Sequence, residues 1–105
     1  MFKITRGKGF HLIFANGVVL SVQFGRGNYC ENRDISWEEQ DQNDFLSSED
    51  AEIAIWNREG KYLTRRADKD INGECDDVDD VKGWISVSDF VKFVNWCENY
   101  KEVSE

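Results

Sequence analysis

The sequence predicts an α+β fold in which an antiparallel sheet of four to five strands, built from two hairpins, packs on one C-terminal helix. Three patterns predict it: an Asn-Gly turn between two apolar runs, a second alternating apolar run near the middle of the chain, and apolar residues at helical spacing near its end. The chain has 105 residues, of which 40% are hydrophobic. This is enough to bury one core, so we expect residues 1–105 to form a single domain.

The first hairpin is predicted around Asn16-Gly17, because both residues tolerate the positive φ angles of a tight turn. A two-residue loop would divide the strongest apolar residues of the two strands between opposite faces. A three-residue loop over 15–17, with Gly17 in the left-handed region, places them on one face instead. In this register the apolar pairs are Phe14 with Val18, Leu12 with Leu20, and Phe10 with Val22.

The remaining strands are predicted by alternating apolar and polar residues. A short edge strand is expected over residues 1–5. Residues 51–57 alternate in the same way, and a turn after them predicts a second hairpin that returns through residues 62–64. A last short strand is expected over residues 81–85.

Two helices are predicted by residues that can cap their first turn. Ser36 can cap a short helix, with Glu39 at its third position. Ser86 can cap a longer helix that runs from Val87 to about Tyr100. The longer helix is apolar around more than half of its circumference, so we expect it to cover the apolar face of the first hairpin.

The residue types that catalysis requires are not arranged in any recognisable pattern. His11 is the one histidine and lies inside a predicted strand, no serine has a GxSxG setting, and the carboxylates lack an apolar pocket that would raise a pKa. Cys30, Cys75 and Cys97 are widely spaced, which predicts reduced thiols, with Cys97 in the core, rather than a zinc site. We therefore expect no enzyme and no cofactor.

The charge is divided unevenly along the chain, whose formal net charge is −8. Residues 1–30 contain four cations and no acid, a charge of +4; residues 31–105 contain nine cations and 21 acids, a charge of −12. This balance disfavours direct nucleic-acid binding and favours a basic partner surface. No apolar run approaches the roughly twenty residues of a membrane span, so we expect a cytoplasmic protein without membrane contact.

Most of the acids lie in two loops, over about 31–50 and 66–80. Their carboxylates are the groups that would contact a basic partner, together with one tryptophan in the first loop. The candidate partner-binding residues are Trp37, Glu38, Glu39, Asp41, Asp44, Glu49, Asp50, Asp76, Asp77, Asp79 and Asp80.

The second loop also matches part of a calcium-binding pattern. Oxygen ligands for Ca²⁺ or Mg²⁺ would come from Asp68, Asp70, Asn72, Glu74 and Asp79. The last position carries Asp79 where glutamate is usual, and no helix is predicted on either side. We therefore favour a simple acidic turn over a metal site.

Three stretches carry a resemblance to a known group: GFHLIFANGVVLSVQFGRGNYC, then DAEIAIW, then VKGW followed by a helix that ends in NWC. They resemble a family of small uncharacterised proteins of tailed bacteriophages. The resemblance implies phage or prophage origin and expression in a bacterial host cell, and it assigns no activity or site residues. We expect residues 36–48 and 65–80 to depart most from that group.

The leading functional hypothesis is a non-enzymatic inhibitor of a host defence or nucleic-acid-processing protein, as anti-CRISPR proteins are. Its acidic loops would imitate DNA phosphates and occupy the basic surface of that protein. One alternative is a module that binds a divalent metal or a small ligand through the 68–79 loop. Another is a phage structural or assembly protein that forms a homodimer, and a further one is that the acids only keep the domain soluble. Monomer and homodimer both remain open.

Overall fold

A computed structural model describes residues 1–6, 8–42, 46–73 and 79–102 of the chain. Its strands and helices follow in the order β1 (Phe2–Thr5), β2 (Gly9–Ile13), β3 (Val19–Gln23), α1 (Trp37–Gln42), β4 (Asp50–Trp56), α2 (Thr64–Asn72), β5 (Val81–Ser86) and α3 (Val87–Asn99). All strand pairs are antiparallel, and the strands lie side by side in the order β1-β2-β3-β4-β5. The predicted α+β class with an antiparallel sheet of four to five strands is confirmed, and the sheet has five.

The first hairpin has the predicted register. Phe10 pairs with Val22 and Leu12 with Leu20, and the Phe14 amide donates to the Val18 carbonyl at 2.9 Å. Gly17 has a φ of 85°, in the region that favours glycine. The three-residue loop therefore forms because it keeps the apolar side chains of both strands on one face.

Asn16 ties this turn to the far end of the chain. Its Oδ1 accepts from the Val18 amide at 3.0 Å, which closes the turn. Its Nδ2 donates to the carbonyls of Cys97 at 2.8 Å and Tyr100 at 3.0 Å. The turn thus supplies donors to carbonyl groups at the C-terminal end of α3, where the Cys97 carbonyl also accepts from the Tyr100 amide at 3.3 Å.

The turn predicted after β4 forms, but the return strand predicted over residues 62–64 is wrong. Tyr62 forms only an isolated bridge with Trp56, and Thr64 begins α2 instead of continuing a strand. The reason lies in the helical spacing of three apolar residues, since Leu63 and Ala67 are buried and Ile71 packs against the same core. Strand β4 pairs with β3 on one side and β5 on the other.

The core lies between one face of the sheet and the helices α2 and α3. Phe93 and Cys97 of α3 are fully buried in it, whereas Val91 is half exposed. The apolar side of α3 is therefore centred on Phe93 and Cys97. The buried apolar residues are Val18, Leu20, Val22, Ile53, Ile55, Leu63, Ala67, Ile85, Phe93 and Cys97.

Both predicted caps form, and both helices start where the sequence places them. The Glu39 amide donates to Ser36 Oγ at 3.0 Å, and the Asp89 amide donates to Ser86 Oγ at 3.2 Å. Each cap satisfies an amide that has no carbonyl partner within its helix. Within the described residues, no helix is long and apolar enough to cross a membrane.

Candidate protein-binding surface

The feature that stands out on the surface is an aromatic pair at β5, the last strand in the sheet order. Trp84 is 56% exposed, and its indole stacks on the phenol ring of Tyr29 with centroids 5.6 Å apart and an interplanar angle of 21°. The guanidinium of Arg33 lies 5.2 Å from the centroid of the Tyr29 ring. Trp, Tyr and Arg are the residues that most often dominate the energy of protein interfaces. We call Tyr29, Arg33 and Trp84 the aromatic cluster.

An irregular backbone presents Trp84. The register between β4 and β5 pairs Ala51 with Ile85 but Ile53 with Lys82, so a bulge interrupts β5 between them. Trp84 has a φ of 51°, a conformation that residues with a side chain rarely adopt. Its amide donates to the Tyr29 carbonyl at 2.8 Å, which holds the bulge against the Tyr29 loop.

Glycine at position 83 allows the Tyr29 loop to approach β5. A Cβ at Gly83 would lie 2.4 Å from the Cβ of Tyr29 and 2.9 Å from its carbonyl oxygen. The Tyr29 amide in turn donates to Glu52 Oε2 of β4 at 2.9 Å. Hydrogen bonds of the Tyr29 backbone with Trp84 and with Glu52 therefore position the two stacked rings.

Carboxylates surround one end of β5, where Asp50 pairs with Ser86. Asp50 Oδ1 accepts from the Glu31 amide at 2.7 Å, and Glu31 Oε2 accepts from the Glu49 amide at 2.7 Å. These contacts bring Glu31 to Glu49 and Asp50, two of the predicted partner-binding residues. Asp50 is half-buried and anchors the loop, whereas Glu49 is exposed.

More carboxylates lie at the other end of β5. Asp79 and Asp80 are exposed and directly precede Val81, which pairs with Ala54. Because of the bulge, the six residues of β5 lie opposite only five positions of β4, 50–54, so its two ends are about 13 Å apart at roughly 3.3 Å per residue. Three further predicted partner-binding residues, Asp44, Asp76 and Asp77, lie outside the described residues.

Helix α1 displays the remaining predicted residues. Glu38, Glu39 and Asp41 are exposed, and no ion pair joins them to any cation of the described chain. The Arg26 guanidinium lies 4.3 Å from the centroid of the exposed Trp37 ring, and the Arg26 amide donates to the side chain of Gln40. These two contacts attach α1 to the loop that also carries Tyr29.

The residues of the predicted calcium loop have a different arrangement. Asp68, Asp70 and Asn72 lie on α2, so residues 68–72 form a helix and not the first part of a loop. Asp68 is buried, pairs with Lys82 at 2.5 Å and accepts from Asn72 Nδ2 at 2.7 Å. Asp70 Oδ2 accepts from the Trp96 indole at 2.9 Å.

All three side chains of this set thus have protein partners. Glu74, the next residue of the proposed ligand set, lies outside the described residues, and Asp79 lies beyond that gap. In the part of the chain that the structure describes, no three His, Cys, Asp or Glu side chains are grouped closely enough to hold a metal ion.

The histidine and two of the cysteines pack within the fold. The His11 ring meets the Trp56 ring edge-on at 5.3 Å, and burial together with the Lys3 charge lowers the pKa of His11. Burial raises the pKa of the Cys30 thiol and raises that of Cys97 to about 12. The thiolate is the reactive form, so Cys97 is held in its unreactive state.

Sequence reasoning missed Tyr29, Arg33 and Trp84. The only local signal is the glycine before Trp84, which in a strand often marks a bulge or a close backbone approach. The stacking of Trp84 on Tyr29 joins two segments that are far apart in the chain.

In comparisons with known proteins, no family model, no curated protein and no solved structure matches this chain.

Proposed function

We propose that this protein is a non-enzymatic, phage-encoded inhibitor that binds the basic surface of a host defence or nucleic-acid-processing protein in the bacterial cytoplasm. The observation that carries the proposal is the exposed Trp84–Tyr29 stack, with acidic residues at both ends of β5. An aromatic centre with a charged rim is the arrangement in which buried anchors supply affinity and the rim supplies specificity.

The spacing of the acids supports an imitation of DNA. Duplex DNA carries one negative charge per about 1.7 Å of helix axis, so the roughly 13 Å between the ends of β5 corresponds to about eight phosphates. Carboxylates at both ends can therefore meet cations that are spread along a DNA-binding channel. Their charge also accelerates the encounter with a basic surface over a distance set by the Debye length.

Hydrogen bonds that fix three carboxylates near the aromatic cluster support the same proposal. Glu31, Asp50 and Glu52 accept hydrogen bonds from backbone amides at 2.7 to 2.9 Å. Side chains held in this way lose little rotational freedom when a partner binds, so less of the binding energy is lost. The acids on α1 are carried by a helix that Arg26 attaches to the Tyr29 loop through its contacts with Trp37 and Gln40.

The experiment is capture from a nuclease-treated bacterial lysate on the immobilised protein, followed by elution with duplex DNA. We expect the eluted proteins to bind nucleic acid, and we expect capture to weaken as salt is added. Trp84→Ala and the double variant Asp79→Asn/Asp80→Asn should each reduce capture. The double variant Glu59→Gln/Glu98→Gln removes the same charge from exposed positions elsewhere and should not.

Two results would count against the proposal. One is capture that neither salt nor duplex DNA reverses, because phosphate imitation requires competition with phosphates. The other is equal loss in the matched double variant, since this would indicate that only total charge matters.

The metal-binding alternative is tested separately. The contacts of Asp68 with Lys82 and of Asp70 with Trp96 would have to break before these carboxylates could bind an ion. Calorimetric titration with Ca²⁺ and with Mg²⁺ measures this directly, and binding heat that disappears in Asp70→Asn would support the alternative.

A further inference from the structure

The opposite edge of the sheet has features of a second binding site. Strand β1 is the first strand in the sheet order, and its only strand neighbour among the described residues is β2. Met1 and Ile13 exchange two hydrogen bonds at 2.8 Å, from the Met1 amine to the Ile13 carbonyl and from the Ile13 amide to the Met1 carbonyl. In an antiparallel pair such bonded positions alternate, so the Lys3 backbone also faces β2.

The backbone groups of Phe2 and Ile4 therefore point away from the sheet. Both residues also have highly exposed side chains, at 86% and 83%. Their partners in β2 are Leu12 and Phe10, so the two side chains extend the apolar face of the sheet beyond its covered part. The same two residues thus present unpaired hydrogen-bonding groups and unburied apolar surface, which together are the requirements for adding a strand.

The charge of Lys3, on the other face of β1, favours one kind of sequence in a strand that pairs with β1. Lys3 lies on that face, opposite His11, and no ion pair joins it to an acid of the described chain. A strand added beside β1 would place a side chain opposite Lys3, where an acid is favourable and a cation is unfavourable. A second copy in the register that pairs Phe2 with Ile4 would place Lys3 opposite Lys3.

We propose that the β1 edge binds an extended segment of a partner protein in which apolar and acidic residues alternate. The segment adds as a sixth strand, with its apolar side chains against Phe2 and Ile4 and an acid beside Lys3. The proposal does not depend on the function proposed above, because it concerns the other edge of the sheet.

The test uses a labelled synthetic peptide of alternating valine and glutamate, and fluorescence anisotropy with the full-length protein. We expect this peptide to bind at least about tenfold more tightly than the corresponding valine–lysine peptide, a difference of about 1.4 kcal/mol. Lys3→Glu should reverse the preference, whereas Lys61→Glu, which makes the same charge change at an exposed position after β4, should not.

The variant Ile4→Pro tests the added hydrogen bonds. Proline removes an amide that points to solvent, so the pairing of β1 with β2 stays intact. We expect Ile4→Pro to abolish peptide binding and Ile4→Ala, which keeps the amide, to weaken it less. A peptide with methylated amides tests the same bonds without altering the protein and should fail to bind the wild-type chain.

Four outcomes would each overturn the proposal. Equal binding of the two peptides removes the charge argument, and unchanged binding by Ile4→Pro or by the methylated peptide removes the strand argument. Light scattering that shows a wild-type dimer and an Ile4→Pro monomer would identify a second copy as the occupant instead.

Discussion

The Trp84 indole and the Tyr29 phenol ring stack 5.6 Å apart because the backbone between β4 and β5 is irregular. A regular strand would alternate its side chains without interruption, whereas the bulge and the positive φ of Trp84 change the direction of the indole. Gly83 then leaves the space that the Tyr29 loop occupies. The candidate surface thus depends on glycine at position 83, where no side chain blocks the approach of the Tyr29 loop.

Gly83→Ala should destabilise the protein by about 1 to 3 kcal/mol, the usual cost of forcing extra atoms into a packed site. The added Cβ would meet the Tyr29 Cβ and carbonyl oxygen, neither of which can move without the loop. Urea denaturation measures the change. Gly27→Ala is the control, because its Cβ would have open space and its cost comes from a positive φ alone. If Gly83→Ala costs no more than Gly27→Ala, the close approach is not a constraint.

Lys82→Met should cost about 2 to 4 kcal/mol of unfolding free energy, because it leaves the buried carboxylate of Asp68 without its cation. We expect a smaller loss of unfolding free energy than for a fully buried ion pair, because the Lys82 side chain is partly exposed. The double variant Asp68→Leu/Lys82→Met should regain much of the loss, since it removes both charges. A double-mutant cycle by urea denaturation measures the coupling, and additive costs would show that the pair is not coupled.

The lowered pKa of His11 predicts that the stability of the folded protein depends on pH. Burial and the charge of Lys3 lower its pKa in the folded state below the ordinary value of 6.5, so the unfolded chain binds a proton more readily. The contribution of His11 is therefore present above pH 6.5 and is lost as the pH falls below it. Urea denaturation on both sides of this pH should show a larger drop for the wild type than for His11→Gln. An equal drop would assign the pH dependence to other groups.

Cys97 should resist alkylation in the folded protein. Its side chain is fully buried and its pKa is raised to about 12, so the thiolate is both scarce and inaccessible. Iodoacetamide at neutral pH, followed by mass spectrometry of the peptide that contains Cys97, should show modification only after urea is added. Modification at equal rates with and without urea would contradict the burial of α3 against the sheet.

The parts of the fold that the sequence predicts are those that neighbouring residues determine. Asn16, Gly17 and the apolar residues beside them define both the turn and the register of the first hairpin. Ser86 similarly marks the start of α3. Each of these features depends on residues within a few positions of one another.

Helix α2 and the aromatic cluster depend on tertiary contacts, which a local sequence pattern does not reveal. Residues 62–64 look like a strand, and the spacing of Leu63, Ala67 and Ile71 is hidden among charged residues. Those charges have partners only in the folded state, as Asp68 has in Lys82. The acidic composition therefore suggested a loop where tertiary contacts form a helix.

The strand order has a consequence for how the chain folds. Every strand lies beside the strand that precedes it in sequence, so β1, β2 and β3 can pair through short loop closures, whereas β4 and β5 must close the longer connections over 24–49 and 57–80. The contact of Asn16 with the Cys97 carbonyl spans 81 positions and joins the first turn to the last helix. We expect this contact to form after the main barrier to folding, so that Asn16→Asp speeds unfolding in stopped-flow measurements and leaves the folding rate nearly unchanged.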